Sequence, residues 1–277
     1  MAAVDRIKTG LRRATPRPVW QGASKSYWWW HNRGRHQVAK LGSSRWRRGR
    51  RELRAYAGRH RGERCFILGN GPSLRSVDLS LLRNEITFGT NRIYMLFDEI
   101  GFSTSYFVAV NTLVIEQCAQ EILQLAMPKF VTWRARRWIP DRPGVIFVDT
   151  DYTGSETFST DFSGRVFEGG TVTYVALELA YHMGFSEVIL VGVDHSYATQ
   201  GPPNQMVVSA GGDPNHFRPD YFGEGFRWQL PDLEASERAY RLARTAFESD
   251  GRRILDATLG GKLEIFPKVP FESVFSS

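Results

Sequence analysis

The chain has 277 residues, with 36 Lys or Arg against 29 Asp or Glu and a formal net charge of +7. This length and an ordinary apolar fraction exclude a disordered or fibrous chain and predict one globular domain with an appendage. No apolar stretch approaches the ~20 residues of a membrane-spanning helix, and the N-terminus lacks the apolar core of a secretory signal. We therefore expect a cytoplasmic protein.

The charge is concentrated in an N-terminal arm, residues 1–60. This arm holds 16 basic and two acidic residues, whereas residues 61–277 hold 20 basic and 27 acidic ones. Five of the eight tryptophans also lie in the arm. Arginines mixed with bulky aromatics suit an anionic membrane surface, so we expect the arm to dock the protein peripherally on the inner face of the membrane. Nucleic acid is the less favoured partner for the same composition.

From residue 64 onward, short β-rich runs alternate with helical periodicity. This alternation predicts an α/β domain over 61–277, with a Rossmann-like, mostly parallel sheet and helices on both faces. The predicted strands are 64–69, 86–90, 105–110, 129–132, 145–148, 187–193 and 253–256. The clearest predicted helices are 112–126, 171–183 and 231–249. Cys65 falls in the first strand and Cys118 in a helix, and without metal-ligand spacing we expect both to be buried thiols.

The first strand ends in the turn Gly69-Asn70-Gly71-Pro72-Ser73. Its glycines can let a ligand approach the backbone, and Pro72 and Ser73 suit a helix start whose free amides favour phosphate. The spacing fits neither the dinucleotide fingerprint nor the Walker loop. A purely structural turn explains the segment equally well.

Polar residues follow other strands of the predicted sheet. Asn91 follows the second strand, Asn111 the third, and Asp194 the strand at 187–193. Because ligands bind beyond the carboxyl ends of parallel strands, these residues and Asn70 form a candidate nucleotide site. A carboxamide can read a base, a ribose or a phosphate, although each asparagine could instead cap the helix that follows it.

A second glycine-rich helix start, Gly169-Gly170-Thr171, offers another anion site. An ordinary helix cap by Thr171 is the alternative.

The region 195–230, which we call the lid, is rich in Gly, Pro, Asn and aromatics and shows no sustained periodicity. A loop of this length in a compact domain usually binds something, and its aromatic content argues against disorder. His195 follows the strand-end Asp194, and His216 lies near Tyr221 inside the lid. Either histidine could act as a general base.

Taken in order, these segments resemble the MptE-like (6-hydroxymethylpterin diphosphokinase-like, DUF115) domain superfamily, which is related to bacterial sialyltransferases that use CMP-sialic acid. The resemblance covers roughly residues 60–275. The residues that carry it are Gly69 to Leu74, Asn91 to Tyr94, Asn111, Gly169 to Val172, Val191 to Tyr197, and His216-Phe217.

The sialyltransferase branch implies specific roles for these residues. Asn70, Asn91 and Asn111 would contact a CMP-sugar donor, together with Gly69, Gly71, Ser73 and Asp194. The Gly169, Gly170 and Thr171 segment would hold its phosphate or carboxylate. His216 would be the general base, with His195 the other candidate, and Tyr197 and Tyr221 would stabilise the leaving phosphate without a metal or other cofactor. The chain departs from that branch at Ser196, where the branch has Tyr.

The pterin kinase branch implies a different reaction. The scaffold would bind ATP and Mg²⁺ and transfer diphosphate, with Asp194 as metal carboxylate, aided by Asp149 or Asp151. Only Arg75 and Arg92 could clamp a triphosphate at the strand ends. That scarcity favours a nucleoside monophosphate donor.

The resemblance therefore favours a glycosyltransferase that transfers a CMP-activated sugar to a cell-surface polysaccharide or a lipid-linked glycan. The arm supports this reading, since lipid-linked acceptors lie at the membrane. A diphosphokinase is the first alternative, and a non-enzymatic nucleic-acid-binding or scaffold protein is the second. The oligomeric state is left open.

Overall fold

The computed structural model describes residues 34–153 and 156–275. Most of the predicted arm, residues 1–33, lies outside the described residues. The chain divides into two compact units, Met1–Trp46 and Arg47–Ser277. The division falls 14 residues before the domain boundary predicted at residue 60, so the last part of the predicted arm belongs to the larger unit. In the smaller unit, a short helix α1 spans Arg35–Val38.

A helix that the sequence did not predict, α2, spans Ser44–Ala55. Only Gly49 and Leu53 of this helix are buried. A Cβ at Gly49 would lie 3.3 Å from the carbonyl oxygen of Phe147, and Leu53 belongs to the main core. Six of its twelve residues are arginine, so the segment resembles the basic arm in composition more than a helix that packs on a core.

The larger unit is built on one eight-stranded parallel sheet, which confirms the predicted fold class. The strands are β1 Arg64–Leu68, β2 Thr87–Thr90, β3 Tyr106–Ala109, β4 Lys129–Thr132, β5 Val145–Asp151, β6 Arg165–Phe167, β7 Glu187–Val191 and β10 Arg253–Asp256. Strand β6 was not predicted. It has three residues at the edge of the sheet, and its first, Arg165, is exposed, so no alternating pattern identifies it.

The strand order is β10-β7-β1-β2-β3-β4-β5-β6. The chain moves outward from β1 to β6 and then returns to place β7 on the other side of β1. This reversal is the point at which open parallel sheets bind their ligands. It also brings the carboxyl ends of β7, β1, β2 and β3 together as neighbours.

The helices after α2 are α3 Phe97–Ile100, α4 Thr112–Gln117, α5 Ala119–Gln124, α6 Val172–Met183 and α7 Leu233–Ser249. The core is formed by the strands together with the helices, above all α6 and α7. The helix predicted over 112–126 is broken at Cys118, whose φ of −118° is not helical. Ten of the twelve residues of α6 are buried, because α6 lies between the sheet and α7.

The two faces of β1 are both covered. Cys65 and Ile67 belong to the core on the α6 side, while Phe66 stacks on Phe275 with ring centroids 5.5 Å apart. A strand buried on both faces reads as a continuous apolar run, as it does here. Both Cys65 and Cys118 are free, buried thiols as predicted, and burial raises the pKa of each.

The lid contains a small antiparallel hairpin of β8 Met206–Val208 and β9 Arg227–Gln229. Its aromatic side chains Phe217, Tyr221, Phe222 and Trp228 are buried, which agrees with the expectation that the lid is ordered. No helix within residues 34–153 and 156–275 is long and apolar enough to cross a membrane.

Candidate functional site

The turn after β1 packs tightly against the end of β7. The Gly71 amide donates to the Gly192 carbonyl at 2.9 Å. A Cβ at Gly69 would overlap the Gly192 carbonyl oxygen, and a Cβ at Gly71 would overlap the Asp194 carboxylate. The two glycines are therefore required by protein atoms that approach them, whereas the sequence predicted that they make room for a ligand.

The Asp194 carboxylate closes the helix start that was predicted to bind phosphate. A 3₁₀ turn spans Pro72–Ser76. The Ser73 amide donates to Asp194 Oδ1 at 3.1 Å, and the Ser73 hydroxyl donates to Asp194 Oδ2 at 2.7 Å. An amide that already binds a carboxylate is not free for a phosphate.

The same contacts bear on the metal role considered for Asp194. Both of its oxygens already bind Ser73. Asp149 and Asp151 lie on β5, five positions from β7 in the sheet order, or roughly 24 Å at the usual ~4.8 Å strand spacing. They cannot share an ion with Asp194. In the described part of the chain, no three His, Cys, Asp or Glu residues are grouped as metal ligands.

Asn70 presents an unpartnered acceptor, and its hydrogen bonds fix which atom that is. The Thr90 hydroxyl donates to the Leu68 carbonyl at 2.9 Å. Asn70 Nδ2 then donates to the Thr90 carbonyl at 3.1 Å and to the Thr90 hydroxyl oxygen at 3.0 Å. Because a carbonyl can only accept, the amide nitrogen must face Thr90. The remaining atom, Oδ1, is buried without a hydrogen-bond partner.

Asn91 and Arg92 extend this group at the end of β2. Asn91 adopts a left-handed backbone with φ of 50°, and its Oδ1 is also buried without a partner. Arg92 Nε is a third buried atom without a partner. Asn70, Asn91 and Arg92 together are called the amide pocket below. Unpaired buried polar atoms are costly, so three of them at adjoining strand ends indicate a ligand site.

Asn111 behaves differently from the other two asparagines. Its Oδ1 accepts from the amides of Leu113 at 2.9 Å and Val114 at 3.4 Å. It is the cap of α4, so the helix-cap alternative describes Asn111 but not Asn70 or Asn91. A donor-binding role for Asn111 would have to use its Nδ2.

The Gly169-Gly170-Thr171 segment is also occupied by protein contacts. Gly169 and Gly170 have positive φ values of 56° and 73°. A Cβ at Gly169 would lie 2.6 Å from the Ala239 side chain on α7. Thr171 caps α6 by accepting from the Thr173 amide at 3.3 Å. Helix packing and an ordinary cap account for these residues, and an anion role for them remains a prediction.

The lid is closed over the amide pocket. The Phe217 amide donates to the Asn70 carbonyl at 3.0 Å, and Arg75 Nε donates to the Phe217 carbonyl. The Arg92 amide donates to the Tyr221 hydroxyl at 3.3 Å. These bonds place His216, the residue before Phe217, beside the turn that carries Asn70.

His216 is held by two neighbours. Its Nδ1 lies 2.7 Å from Asp213 Oδ2, and its ring stacks on Tyr221 with centroids 4.0 Å apart and planes 9° apart. Nε2 has no hydrogen-bond partner among the described residues. Asp213 was not among the predicted site residues, although its spacing of three residues from His216 in a polar turn was a usable signal.

The two candidate tyrosines remain protonated at neutral pH. Burial raises the pKa of Tyr197 to about 12, with the nearby charges of Asp194 and Asp213 acting in the same direction. Burial also raises the pKa of Tyr221 well above its usual value. Each can therefore donate a hydrogen bond but cannot serve as a base.

His195 lies apart from the amide pocket, against α7. Its Nε2 is 3.3 Å from Glu237 Oε1, and its ring meets Tyr240 edge-on with centroids 6.3 Å apart. The backbone is left-handed, with φ of 54°. No contact joins His195 to Asn70, Asn91 or Arg92 in the described residues.

Comparison with known proteins gives a family match and a remote structural one. A family model described as 6-hydroxymethylpterin diphosphokinase MptE-like matches residues 44–200. A solved structure, the MAf glycosyltransferase from Magnetospirillum magneticum AMB-1, matches with a TM-score of 0.47 and 14% sequence identity. The match covers 81% of this chain but 38% of that one, so the chain spans well under half of that protein. No curated protein matches.

Proposed function

Because the chain belongs to the MptE-like family, we propose that it is a nucleotide-dependent transferase, and that it transfers a sugar from a CMP-activated donor in the manner of sialyltransferases. The observation that carries this proposal is the bond from the Phe217 amide to the Asn70 carbonyl at 3.0 Å. It joins the lid segment that carries His216 to the turn that carries Asn70, whose Oδ1 is unpartnered.

The amide pocket suits a base or a ribose better than a phosphate. Asn70 Oδ1 and Asn91 Oδ1 are acceptors and therefore need a ligand that donates. The exocyclic amine of cytosine and the ribose hydroxyls donate, whereas a phosphodiester has no proton to offer. Arg92 Nε supplies the complementary donor for a ring carbonyl.

Bond formation would require a base and a donor for the leaving group. His216 Nε2 accepts the proton of the acceptor hydroxyl, which makes that oxygen a better nucleophile. The oxygen forms the new bond to the sugar carbon as the bond from that carbon to the phosphate oxygen breaks. The Tyr197 hydroxyl, kept protonated by its raised pKa, can donate to the departing phosphate.

A membrane-bound acceptor agrees with the surface of α2. Arg47, Arg51 and Arg54 are exposed and recur at intervals of four and three residues, so they share one face of this helix. Anionic lipid attracts such a face at about 1 kcal/mol per basic residue. We propose that α2 and the preceding arm hold the enzyme near a lipid-linked glycan at the inner face of the membrane.

The second candidate is an ATP-dependent 6-hydroxymethylpterin diphosphokinase, which the description of the family model favours. Adenine also carries an exocyclic amine, so the amide pocket alone does not distinguish it from cytosine. The two candidates differ in metal requirement, since diphosphate transfer uses Mg²⁺.

Thermal-shift measurements on the full chain with CMP, CDP, ATP and GTP, each with and without magnesium, separate these candidates. Metal-free stabilisation by CMP supports glycosyl transfer, and magnesium-dependent stabilisation by ATP alone overturns it. If no nucleotide stabilises the chain, the nucleotide site itself is wrong and nucleic-acid binding should be measured instead.

A matched pair of variants tests the amide pocket. Asn91→Gly removes the carboxamide while keeping the left-handed backbone that glycine tolerates. Asn204→Gly is the control, because Asn204 is exposed in the lid and has a similar φ of 63°. We expect about tenfold weaker CMP binding for Asn91→Gly only, as befits one lost buried hydrogen bond. Equal affinity in both variants would contradict the pocket.

A further inference from the structure

The contact between Asp213 and His216 has the geometry of a positioning pair. Asp213 Oδ2 lies 2.7 Å from His216 Nδ1, and the two side chains are only 4% and 11% exposed. Water therefore screens and competes with this contact less than it would on the surface.

Asp213 is itself held in place. Its second oxygen, Oδ1, accepts from the Asn215 amide at 2.8 Å, and its own amide donates to the Pro219 carbonyl at 2.8 Å. Asn215 is held in turn, since its Oδ1 accepts from the Ala198 amide at 2.7 Å. Three hydrogen bonds from backbone amides, one of them to the carboxylate itself, therefore hold Asp213 and its neighbour Asn215 in place.

The carboxylate decides which nitrogen of His216 carries the proton. An ionised carboxylate only accepts, so Nδ1 must be the N–H donor in the neutral ring. Nε2 is then left with a lone pair, and Tyr221 stacked at 4.0 Å limits how the ring can turn. A base needs both the correct tautomer and the correct direction.

We propose that Asp213 is the positioning residue for His216. It holds Nδ1–H so that Nε2 faces the substrate as an acceptor, and it stabilises the imidazolium that forms when Nε2 takes the acceptor proton. The inference rests on the proposed role of His216 as general base. Asp213 itself touches neither donor nor acceptor.

The test is the tautomer of His216, read by ¹⁵N NMR on the full chain with labelled histidine at about pH 8.5, above the ordinary imidazole pKa. The chain has six histidines, and loss of one signal in His216→Gln identifies the relevant ring. The wild-type protein should show the Nδ1–H form. An Nε2–H form in the wild-type protein would overturn the proposal without any variant.

Asp213→Asn keeps the shape of the side chain but lets an amide N–H face Nδ1. We expect His216 to change to the Nε2–H tautomer, and we expect sugar transfer from a CMP-activated donor to fall about 10²–10⁴-fold while CMP binding is retained. Asp220→Asn is the matched control in the same lid, since Asp220 is exposed and pairs with Arg218. It should change neither the tautomer nor the rate.

The outcomes separate the two proposals. If the tautomer changes in Asp213→Asn but the wild-type protein transfers no sugar, Asp213 positions His216 and the reaction has been misassigned. If the wild-type protein is active and Asp213→Asn keeps both tautomer and rate, the positioning role is wrong and the glycosyltransferase proposal stands.

Discussion

Gly71→Ala would test whether the turn after β1 is closed by protein or open to a ligand. The backbone of Gly71 has φ of −72° and ψ of 159°, which alanine adopts without strain. The added Cβ would overlap the Asp194 carboxylate, a short and inflexible side chain. Asp194 would have to move away from Ser73, and both of its hydrogen bonds would be lost.

The size of the effect follows from those two bonds. A hydrogen bond to a charged group contributes about 1.5–3 kcal/mol, and the lower figure applies because Asp194 and its surroundings are only partly buried. Two such bonds give about 3 kcal/mol. For a unit of this size, that corresponds to a fall of roughly 6–12 °C in the melting temperature.

Thermal and urea unfolding should be measured for Gly71→Ala, for Asp194→Ala and for the double variant. The two effects should be strongly non-additive, because once Asp194 is shortened the new methyl group meets no carboxylate. Gly223→Ala is the control: a Cβ there is 3.9 Å from its nearest neighbour, the Asp220 carbonyl oxygen, and should cost little. If Gly71→Ala is as stable as Gly223→Ala, the Asp194 carboxylate does not fill the turn. The phosphate site predicted at the turn after β1 would then be supported.

Three further substitutions test other parts of the structure. Burial raises the pKa of Glu178 well above 4.5, so its contribution to stability is full below that value and is lost as pH rises toward the folded pKa. Relative to the wild-type protein, Glu178→Gln should therefore become increasingly stabilising as pH rises above 4.5, with a slope of at most about 1.4 kcal/mol per pH unit in urea titrations, and a pH-independent difference would contradict this. Asn111→Ala should lower stability by about 0.5–2 kcal/mol through loss of the α4 cap, and a tenfold loss of CMP affinity without destabilisation would show that Asn111 binds donor instead. Tyr221→Phe removes the acceptor for the Arg92 amide, so we expect faster amide hydrogen exchange at Arg92 and in the lid, and unchanged exchange would show that this bond does not hold the lid.

Much of the architecture could be predicted from local sequence. Strands such as β1 and β7 are apolar because both of their faces are covered, and helices α6 and α7 begin at capping residues, Thr171 and Asp232. The sequence pattern did not predict the elements that bury few residues in the core. Strand β6 has one buried residue, and α2 has two among its arginines.

The candidate site was predicted only in outline. Asn70, Asn91 and Asn111 are residues of the same type, and each follows a predicted strand. The sequence therefore predicts the same donor-binding role for all three. Their roles diverge because their partners differ: Thr90, 20 residues away, fixes the amide of Asn70, while the first amides of α4, directly after Asn111, occupy its Oδ1. The cap at Asn111 is a local pattern, whereas the partner of Asn70 is set by the pairing of β1 with β2.

The sequence by itself indicated a glycine turn at 69–71, a set of polar residues at strand ends of one sheet, and an aromatic lid at 195–230. Only the tertiary structure decided what fills the turn. The strand order sets β7 beside β1, and this brings Asp194 to Ser73 from 121 residues away. The physical reason is that a parallel sheet makes neighbours of strands that are remote in the chain, so a side chain's partner is set by strand order and not by local spacing.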